Sequence, residues 1–265
     1  MPALNSETVL NARLGNFIPP SPTSAYTVGI ARDYDDVRAA QELRFRVFNL
    51  ELGEGLEASV SSGCDADRFD SVCDHLLIRS SNTDEVVGTY RLQTGGNAAR
   101  GLGYYSEQEF EFEPFEAIRE RTIELGRACI AKEHRNMVVL GLLWKGIAQY
   151  AKLYDARYLI GCSSYTSTDP AVGLAAYRSL RRYMAGPDFL THPKADYVCD
   201  VAEPGDIERV DPAKAKAPRL MRAYLTLGAR LCGEPALDRE FKTIDFLTLL
   251  DLESLGPRAM RKFLG

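Results

Sequence analysis

The amino-acid sequence predicts an α/β protein, a mixed α+β sheet sandwich in one domain with a C-terminal elaboration. Two kinds of segment support this fold class. Short apolar runs, such as residues 157–163, have the length of buried strands, and longer segments, such as 138–154, repeat apolar residues at helical spacing. The two kinds alternate along the chain, which is typical of a sheet covered by helices. The 265 residues, 45% of them hydrophobic, suffice for one large domain.

The N-terminal part of the chain predicts an arm followed by a strand and a helix. Residues 1–25 are rich in Pro, Ser, Asn and Thr and predict a flexible arm, whereas residues 26–265 contain no internal repeat and predict a single domain. Within the domain, residues 26–31 predict a strand, and Asp33 can cap the helix that follows. Apolar residues of this helix recur on one face at Ala40, Leu43, Val47 and Leu50.

The middle of the chain predicts strands separated by irregular segments. The acidic stretch 51–74 contains Gly and Ser and predicts a loop, and residues 95–120 predict an irregular insertion. Strands are expected at 75–79, 86–93 and 122–131. The first two of these strands are joined by a short polar turn, so we expect them to form a hairpin.

Helices and strands alternate again after the third of these strands. A helix at 138–154 precedes the strand at 157–163. Asp169 and Pro170 then provide an N-cap and a proline at the first helical position. This pair predicts the start of a helix that ends near Met184.

The C-terminal elaboration predicts one more amphipathic helix between strands. Pro218 opens this helix, and Gly233 would end it. Its apolar stripe consists of Leu220, Tyr224, Leu227 and Leu231. The remaining expected elements are a strand around 195–200, a strand at 241–250 and a short helix at 255–263.

The charge balance excludes some partners and favours others. A formal charge of −5 argues against a general nucleic-acid binder. Residues 51–120 carry 15 acidic and 5 basic side chains and could attract a cationic substrate. Residues 171–265 carry 15 basic and 13 acidic side chains and could contact an acidic carrier. Two ordinary solvated surfaces are the alternative.

The cysteine pattern bears on metal binding and on the compartment. Six cysteines are widely scattered and form no C-x-x-C pair, so we expect no metal site and a reducing environment. The N-terminus lacks a signal-peptide pattern, and no apolar stretch reaches 18 residues. We therefore expect a cytoplasmic protein.

Several short motifs follow one another in a fixed order. The spaced pairs are Arg44-x3-Phe48, Asp67-x2-Asp70 and Glu124-x2-Arg127, with Arg91 between the last two. Further motifs are Cys73–Leu77, Val87–Leu92, Tyr104–Phe110, Leu142–Ile147, Gly161–Ser164 and Phe241–Phe246. Together they resemble the acyl-homoserine-lactone synthases, a branch of the GNAT superfamily. They are more similar still to the bacterial ornithine N-alpha-acyltransferases and related long-chain N-acyl amino acid synthases, some of which are labelled hemolysins. The resemblance covers roughly residues 30–265.

This resemblance implies a GNAT-like fold and an enzyme of lipid biosynthesis. The implied reaction transfers a (3-hydroxy)fatty acyl group from acyl-carrier protein to the α-amino group of an amino acid, with L-ornithine as the leading acceptor. The acyl donor is a substrate, so no bound cofactor is implied. The alternatives are glycine or another neutral amino acid as acceptor, acyl-CoA as donor, and a membrane-interacting, hemolysin-like protein.

Two departures from the related families refine these expectations. The lactone synthases carry a Trp six residues after the Phe of the first motif, where this chain has Glu54, so a lactone product is not expected. The GNAT pyrophosphate signature Q/R-x-x-G-x-G/A keeps only Arg135, and its glycines are absent. A carrier protein presents phosphopantetheine with a single phosphodiester, which Arg135 and a helix N-terminus could bind. The departure therefore favours a carrier-protein donor over free acyl-CoA.

Glu124 is the candidate general base. Amide formation needs a proton acceptor near the attacking amine, and a strand carboxylate that faces a cleft has a raised pKa. The alternative is a buried Glu124 paired with Arg127. A regular strand places these two residues on opposite faces, so a bulge, or a position of Arg127 beyond the end of the strand, would be needed to bring them together.

A network of charged residues is expected beside the acceptor pocket. Its members are Arg44, Asp67, Asp70, Arg91 and Arg127, with Phe48 as an apolar neighbour. One of the arginines could hold the α-carboxylate of the amino acid, because a guanidinium binds a carboxylate through two hydrogen bonds. A wholly structural network is the alternative, because buried charges must be paired in any fold.

Two basic faces could serve as contact surfaces. Arg178, Arg181 and Arg182 share one helical face and could dock an acidic carrier protein. Arg258, Arg261 and Lys262 could touch an anionic membrane. Ordinary solvated faces are the alternative in both places. His75, at a strand start beside Asp74, is expected to be structural. Cys162 is expected to pack as a small hydrophobe, because no His or other base lies near it in the sequence.

Overall fold

One mixed sheet carries the fold in the computed structural model, which describes residues 24–256. Its strands are β1 (Tyr26–Ile30), β2 (Asp74–Ser80), β3 (Val86–Thr94), β4 (Thr122–Ile130), β5 (Tyr158–Tyr165), β6 (Arg230–Leu231), β7 (Ala236–Asp238) and β8 (Thr243–Asp251). The order across the sheet is β1-β2-β3-β4-β5-β8-β6, and β7 also pairs with β8. Only the β4–β5 pair is parallel among these strands. The predicted mixed α/β class is confirmed.

Helices flank this sheet and lie in its connections. The α-helices are α1 (Tyr34–Phe45), α2 (Ser59–Ser62), α3 (Gly95–Arg100), α4 (Met137–Leu153), α5 (Pro170–Leu180), α6 (Gly205–Glu208) and α7 (Arg219–Leu227). A π-helical segment, Arg46–Leu52, continues α1. Short 3₁₀ helices occur at Arg68–Ser71, Tyr105–Gln108, Glu113–Arg121, Lys132–His134, Arg181–Tyr183, Pro187–Phe189, Ala195–Tyr197 and Leu252–Ser254. The stretches predicted as loop and insertion are therefore built largely from single helical turns.

The first helix begins as its sequence predicts and ends differently. The Asp33 carboxylate accepts the backbone N–H of Asp36 at 2.9 Å, which caps α1. Ala40 and Leu43 are buried in the apolar layer between α1 and the sheet. From Arg46 the backbone winds as a π-helix, so side chains no longer follow the 3.6-residue period. Leu50, which that period places on the apolar face, is exposed instead.

Helix α4 covers the other side of the strands that carry the site. The Asn136 side chain accepts the N–H groups of Val138 and Val139, so the helix starts one residue earlier than predicted. Its buried face includes Val139, Leu143, Trp144, Ile147 and Tyr150. These side chains pack against β2, β3 and β4 in one apolar cluster, which fixes the middle of the sheet.

A bulge in β4 separates this strand from β5. Arg127 has a φ of 50°, a left-handed conformation that is strained for a residue with a side chain. The β3–β4 register shifts at the same level. The parallel pairing between β4 and β5 covers only Thr122–Glu124 and Tyr158–Ile160. Beyond Glu124 the two strands diverge, and the space between them becomes available to a ligand.

Three predicted elements of the C-terminal part differ from the structure, two helices in where they end and one strand in its type. Helix α7 ends at Leu227, because Gly228 adopts a left-handed φ of 114° and terminates it. Leu231, predicted in that helix, lies in β6. Helix α5 ends at Leu180, and the chain continues as a 3₁₀ turn to Tyr183. The strand expected around 195–200 is a 3₁₀ turn followed by a single bridge from Val198 to Ala236.

Some predictions fall on residues outside 24–256. Most of the predicted N-terminal arm and most of the helix expected at 255–263 lie there. The second basic face, with Arg258, Arg261 and Lys262, also lies outside the described residues. Within the described part, none of the helices is long and apolar enough to cross a lipid bilayer.

Candidate active site

A cavity of about 360 Å³ lies where β4 and β5 diverge. The β5–β8 register gives the cavity two different ends, with Leu159 opposite Leu250 at one and Ser164 opposite Asp245 at the other. The first end is apolar and is lined by Leu125, Trp144, Leu159, Leu220, Tyr224 and Leu250. The second end is polar and is lined by Glu54, Arg127, Cys162, Ser164 and Asp245. The cavity can therefore receive a ligand with one apolar and one polar part.

Glu124 lines this cavity and is held by the segment after β3. Its carboxylate accepts the backbone N–H of Tyr105 at 2.7 Å and that of Ser106 at 2.8 Å, together with the Ser106 hydroxyl. Burial raises the pKa of Glu124, and these hydrogen bonds act in the opposite direction. A carboxylate offers about four acceptor sites, so one remains for water or an amine.

Three arginines and three aspartates form a buried cluster next to the cavity. Arg44 contacts Asp65 at 2.9 Å and Asp70 at 2.7 Å, and Arg91 contacts Asp67 at 2.6 Å. The remaining ion pairs are Arg91–Asp70 at 3.0 Å, Arg127–Asp65 at 3.3 Å and Arg127–Asp67 at 3.1 Å. The structure thus brings together every charged residue of the predicted network and adds Asp65. The recurring acidic spacing Asp65-x-Asp67-x2-Asp70 could have revealed this member in the sequence.

The cluster balances its own charges. Burial alone would raise the pKa of Asp70, but the Arg44 and Arg91 guanidinium groups hold it well below its ordinary value. Each of the three arginines is engaged by at least two aspartates. This arrangement favours the structural interpretation over one in which an arginine is free to bind the carboxylate of a substrate.

The bulge in β4 decides how Glu124 and Arg127 relate. Both line the cavity, as do the residues between them, because the cavity opens where β4 leaves β5. They do not pair, however, because Glu124 is bound to residues 105 and 106 while Arg127 is bound to aspartates. The alternative of a Glu124–Arg127 ion pair is therefore wrong. The Arg127 guanidinium also lies over the Phe241 ring at 4.2 Å, and Phe48 packs edge-on against that ring.

A second group of acidic residues at the polar end was not predicted as a site. One carboxylate oxygen from each of Glu109, Asp238 and Asp245 lies within 4.8 Å of the other two, and all three residues are buried. Burial, together with the negative charge of Asp238, raises the pKa of Asp245 to about 6. Glu54 is also buried nearby, with a hydrogen bond from Thr166. The sequence gives no local signal for this group, because Glu109 lies more than a hundred residues before Asp238 and Asp245 in the chain.

Comparison with known proteins places the chain in a family. A family model described as an acetyltransferase (GNAT) domain matches residues 43–145. The chain is 32% identical over 271 residues to an L-ornithine N(alpha)-acyltransferase from Brucella abortus, covering 97% of this chain and 95% of the relative. It is 32% identical over 243 residues to a protein of the same name from Rhodobacter capsulatus, covering 88% and 93%. The chain belongs to the L-ornithine N(alpha)-acyltransferase family.

A solved structure supports the fold of this acyltransferase. The structure of FeeM, an N-acyl amino acid synthase from uncultured soil microbes, has a TM-score of 0.52 and 10% identity. The alignment covers 89% of this chain and 97% of that one. Together with the family model and the curated relatives, this structure confirms the expected GNAT-like fold, and the relatives confirm the assignment as an acyltransferase.

Two other residues of this acyltransferase have environments that argue against catalysis. Burial and nearby carboxylates raise the pKa of the Cys162 thiol well above its usual value, and its Sγ lies 3.8 Å from Glu109. A protonated thiol is a poor nucleophile. Burial next to Arg44 lowers the pKa of His75 to about 4, and its Nε2 contacts the backbone oxygen of Asp70. His75 is thus a neutral, structural histidine.

The residues predicted to contact the carrier lie at the surface. Arg135 precedes α4 as expected, but its guanidinium binds the Glu51 carboxylate at 2.7 Å and the Ile130 carbonyl at 3.0 Å. Binding a phosphate there would require Arg135 to exchange Glu51 for the ligand. Arg178, Arg181 and Arg182 are all exposed at the end of α5 and in the turn after it.

Proposed function

We propose that this enzyme transfers a (3-hydroxy)fatty acyl group from acyl-carrier protein to the α-amino group of L-ornithine. The observation that carries the proposal is the cavity, which joins an apolar end to a strongly acidic one on either side of the divergent strands. An acyl chain suits the first end and a cationic amino acid the second. The names of the Brucella and Rhodobacter relatives support ornithine as the acceptor.

The proposed chemistry is direct attack by the amine on the thioester. The amine nitrogen forms a bond to the carbonyl carbon, the C–S bond breaks, and the amine proton is transferred so that the carrier leaves as a free thiol. Glu124 would accept that proton, directly or through one water, at its remaining acceptor site and then pass it to the leaving thiolate. Its raised pKa suits this role, because a carboxylate with a higher pKa accepts a proton more readily.

A basic surface supports a carrier-protein donor. A depression beside α7 is lined by Arg182, Lys216 and Arg222, with Leu225 among its apolar residues. Other residues of the same helix, Met221 among them, line the cavity. A carrier docked on this surface and on the neighbouring Arg178 and Arg181 would lie one helix away from the cavity. Acidic carriers gain encounter rate and orientation from such a surface.

The test is a reconstituted reaction with the purified full-length chain. Acyl-carrier protein loaded with a 3-hydroxyacyl group is mixed with L-ornithine, and the product is identified by mass spectrometry. The expected product is N-alpha-acylornithine, formed faster from the loaded carrier than from the matching acyl-CoA. Glycine in place of ornithine tests a neutral acceptor. Absence of any N-acyl amino acid from a folded preparation would contradict the proposal.

A further inference from the structure

Two carboxylate oxygens at the acidic end of the cavity are left without a hydrogen bond. Oδ1 of Asp245 and Oε1 of Glu109 are bonded to no group of residues 24–256. Asp245 is 3% exposed and Glu109 is 1% exposed, so bulk water does not solvate them either. A buried, unpaired carboxylate oxygen is unfavourable by itself and indicates a ligand that supplies donors.

The other polar atoms of this group are already engaged. Asp238 accepts the N–H groups of Glu240 and Phe241 through Oδ1 and the Tyr105 hydroxyl through Oδ2. Oδ2 of Asp245 accepts the Thr243 hydroxyl at 3.1 Å, and the Ser164 hydroxyl also lies beside this carboxylate and lowers its pKa. The free acceptors are therefore concentrated on Asp245 and Glu109, and Asp245 also lines the cavity.

The cations nearby do not neutralise these carboxylates. The positive charge of Arg127 lowers the pKa of both Glu109 and Asp245, but the guanidinium forms its ion pairs with Asp65 and Asp67. Lys194 comes from the same side of the molecule, yet its Nζ donates to the backbone carbonyl of Glu107 at 2.6 Å. The acidic group therefore lacks an ion-pair partner among the described residues, and a cationic ligand would supply one.

We propose that Asp245 and Glu109, supported by Asp238, bind the side-chain ammonium group of a diamino acid acceptor. This inference rests on the proposed function and names the residues that select its substrate. An ammonium group offers three donors and one positive charge. It can therefore satisfy both free oxygens and offset the repulsion between the carboxylates.

The donor set fits an ammonium group better than a metal ion. Calcium takes six to eight oxygen ligands and magnesium an octahedral set. Here both oxygens of Asp238 and one of Asp245 are committed to hydrogen bonds. Two free oxygens suffice for an ammonium group with a third donor directed elsewhere. Calcium would need about four further oxygen ligands, and magnesium would have to keep most of its shell as water inside this buried group.

The position of Asp245 relative to Glu124 also fits a diamino acid. Glu124 pairs with Ile160 on β5, and Asp245 pairs with Ser164. Four residues along a strand correspond to about 13 Å between backbone positions. An acceptor with two amino groups can present its α-amine towards Glu124 and its side-chain ammonium towards Asp245.

The experiment compares L-ornithine with L-norvaline, which has the same carbon skeleton without the side-chain amine. Carrier-bound acyl donor is used throughout, with wild type, Asp245→Asn and the control Asp35→Asn, an exposed position in α1. We expect Asp245→Asn to lower kcat/KM for ornithine by about 10²–10³-fold, because it removes one partner of a buried charge pair. For norvaline kcat/KM should stay the same or rise. Asp35→Asn should leave both values unchanged.

The outcomes separate this inference from the proposed function. If wild type acylates neither amino acid, the proposed function fails. If wild type acylates ornithine but Asp245→Asn lowers kcat/KM equally for ornithine and norvaline, the proposed ammonium subsite is wrong. Loss of wild-type activity in EDTA with recovery in Ca²⁺ or Mg²⁺ would show a metal site in place of the ammonium subsite.

A binding measurement on wild type alone completes the test. Ornithine should raise the melting temperature of wild type, and norvaline should not. Equal shifts would contradict the inference.

Discussion

Gly161 of β5 lies against the carbonyl oxygen of Leu125 in β4. A Cβ atom at Gly161 would be 2.2 Å from that oxygen, well inside van der Waals contact. The contact occurs one residue beyond the last β4–β5 pair, Glu124 with Ile160. The absence of a side chain at Gly161 therefore sets how closely the two strands approach before they diverge around the cavity.

Replacing Gly161 should disturb both the fold and the site. We expect Gly161→Ala to lower the free energy of unfolding by about 1–3 kcal/mol, because the added methyl group must push the Leu125 backbone away. Urea unfolding measures this change. Gly29→Ala in β1 is a matched control, because nothing lies within 4 Å of its added Cβ. Equal effects of the two substitutions would mean that the close approach is unimportant.

Glu124 should affect the chemical step more than binding. Glu124→Gln keeps the shape of the side chain but removes its proton affinity, so kcat should fall by about 10²–10⁴-fold. Because the amide NH₂ cannot accept, contacts to Tyr105 and Ser106 are also weakened. The melting temperature is therefore recorded alongside steady-state rates. A variant with normal stability and near-normal kcat would exclude Glu124 as the base.

The buried cluster should be important for stability. Asp65→Asn leaves Arg44 and Arg127 without one of their partners. Breaking a buried ion pair on one side costs about 3–5 kcal/mol, so this variant should unfold at a much lower urea concentration. Glu42→Gln breaks the exposed Arg38–Glu42 pair and should change stability by less than about 1 kcal/mol. Similar midpoints for the two variants would contradict a stabilising role of the cluster.

The exposed arginines should matter only when the donor is a carrier protein. Substituting Arg178, Arg181 and Arg182 by Glu should raise KM for the acyl carrier by about tenfold or more at low salt, because a favourable surface potential is reversed. The effect should shrink as ionic strength increases. A small acyl-pantetheine thioester makes no such contact and serves as the control donor. An equal change in KM for both donors would argue against docking on this surface.

The sequence predicts most of the elements on which these residues lie. Asp33 and the Asp169–Pro170 pair mark helix starts that the structure confirms, since capping is a local property of a few residues. The ends of the helices were predicted less accurately than their starts. Gly228 and Gly233 are both preceded by apolar residues, and only the backbone conformation tells which of them terminates α7.

The sequence likewise predicts only part of the candidate site. The Arg44, Asp67, Asp70, Arg91 and Arg127 cluster was recognised because its members belong to ordered motifs. The acidic subsite was not, because Glu109, Asp238 and Asp245 meet only through the pairing of β7 with β8 and through the segment that follows α3. No local spacing encodes that meeting. Similarly, the bulge at Arg127 results from contacts between strands.

Asp245 should make the ligand-free protein less stable at high pH. Burial beside Asp238 raises its pKa to about 6 in the folded state, and hydrogen bonds from Ser164 and Thr243 only partly oppose this. The unfolded value is about 3.9. The folded state therefore holds the proton more tightly, and stability falls as pH rises from about 4 to about 6. Above that range the penalty is fully present.

Asp245→Asn removes this titration and should stabilise the ligand-free protein at pH 8. We expect an increase of about 1–3 kcal/mol in the free energy of unfolding, which disappears near pH 4. Urea unfolding of wild type and variant at several pH values measures the difference, with Asp35→Asn as the control. A variant less stable than wild type at pH 8 would show that Asp245 helps to hold the fold. A more stable variant that has lost ornithine selectivity would show that the carboxylate is kept for binding at the expense of stability.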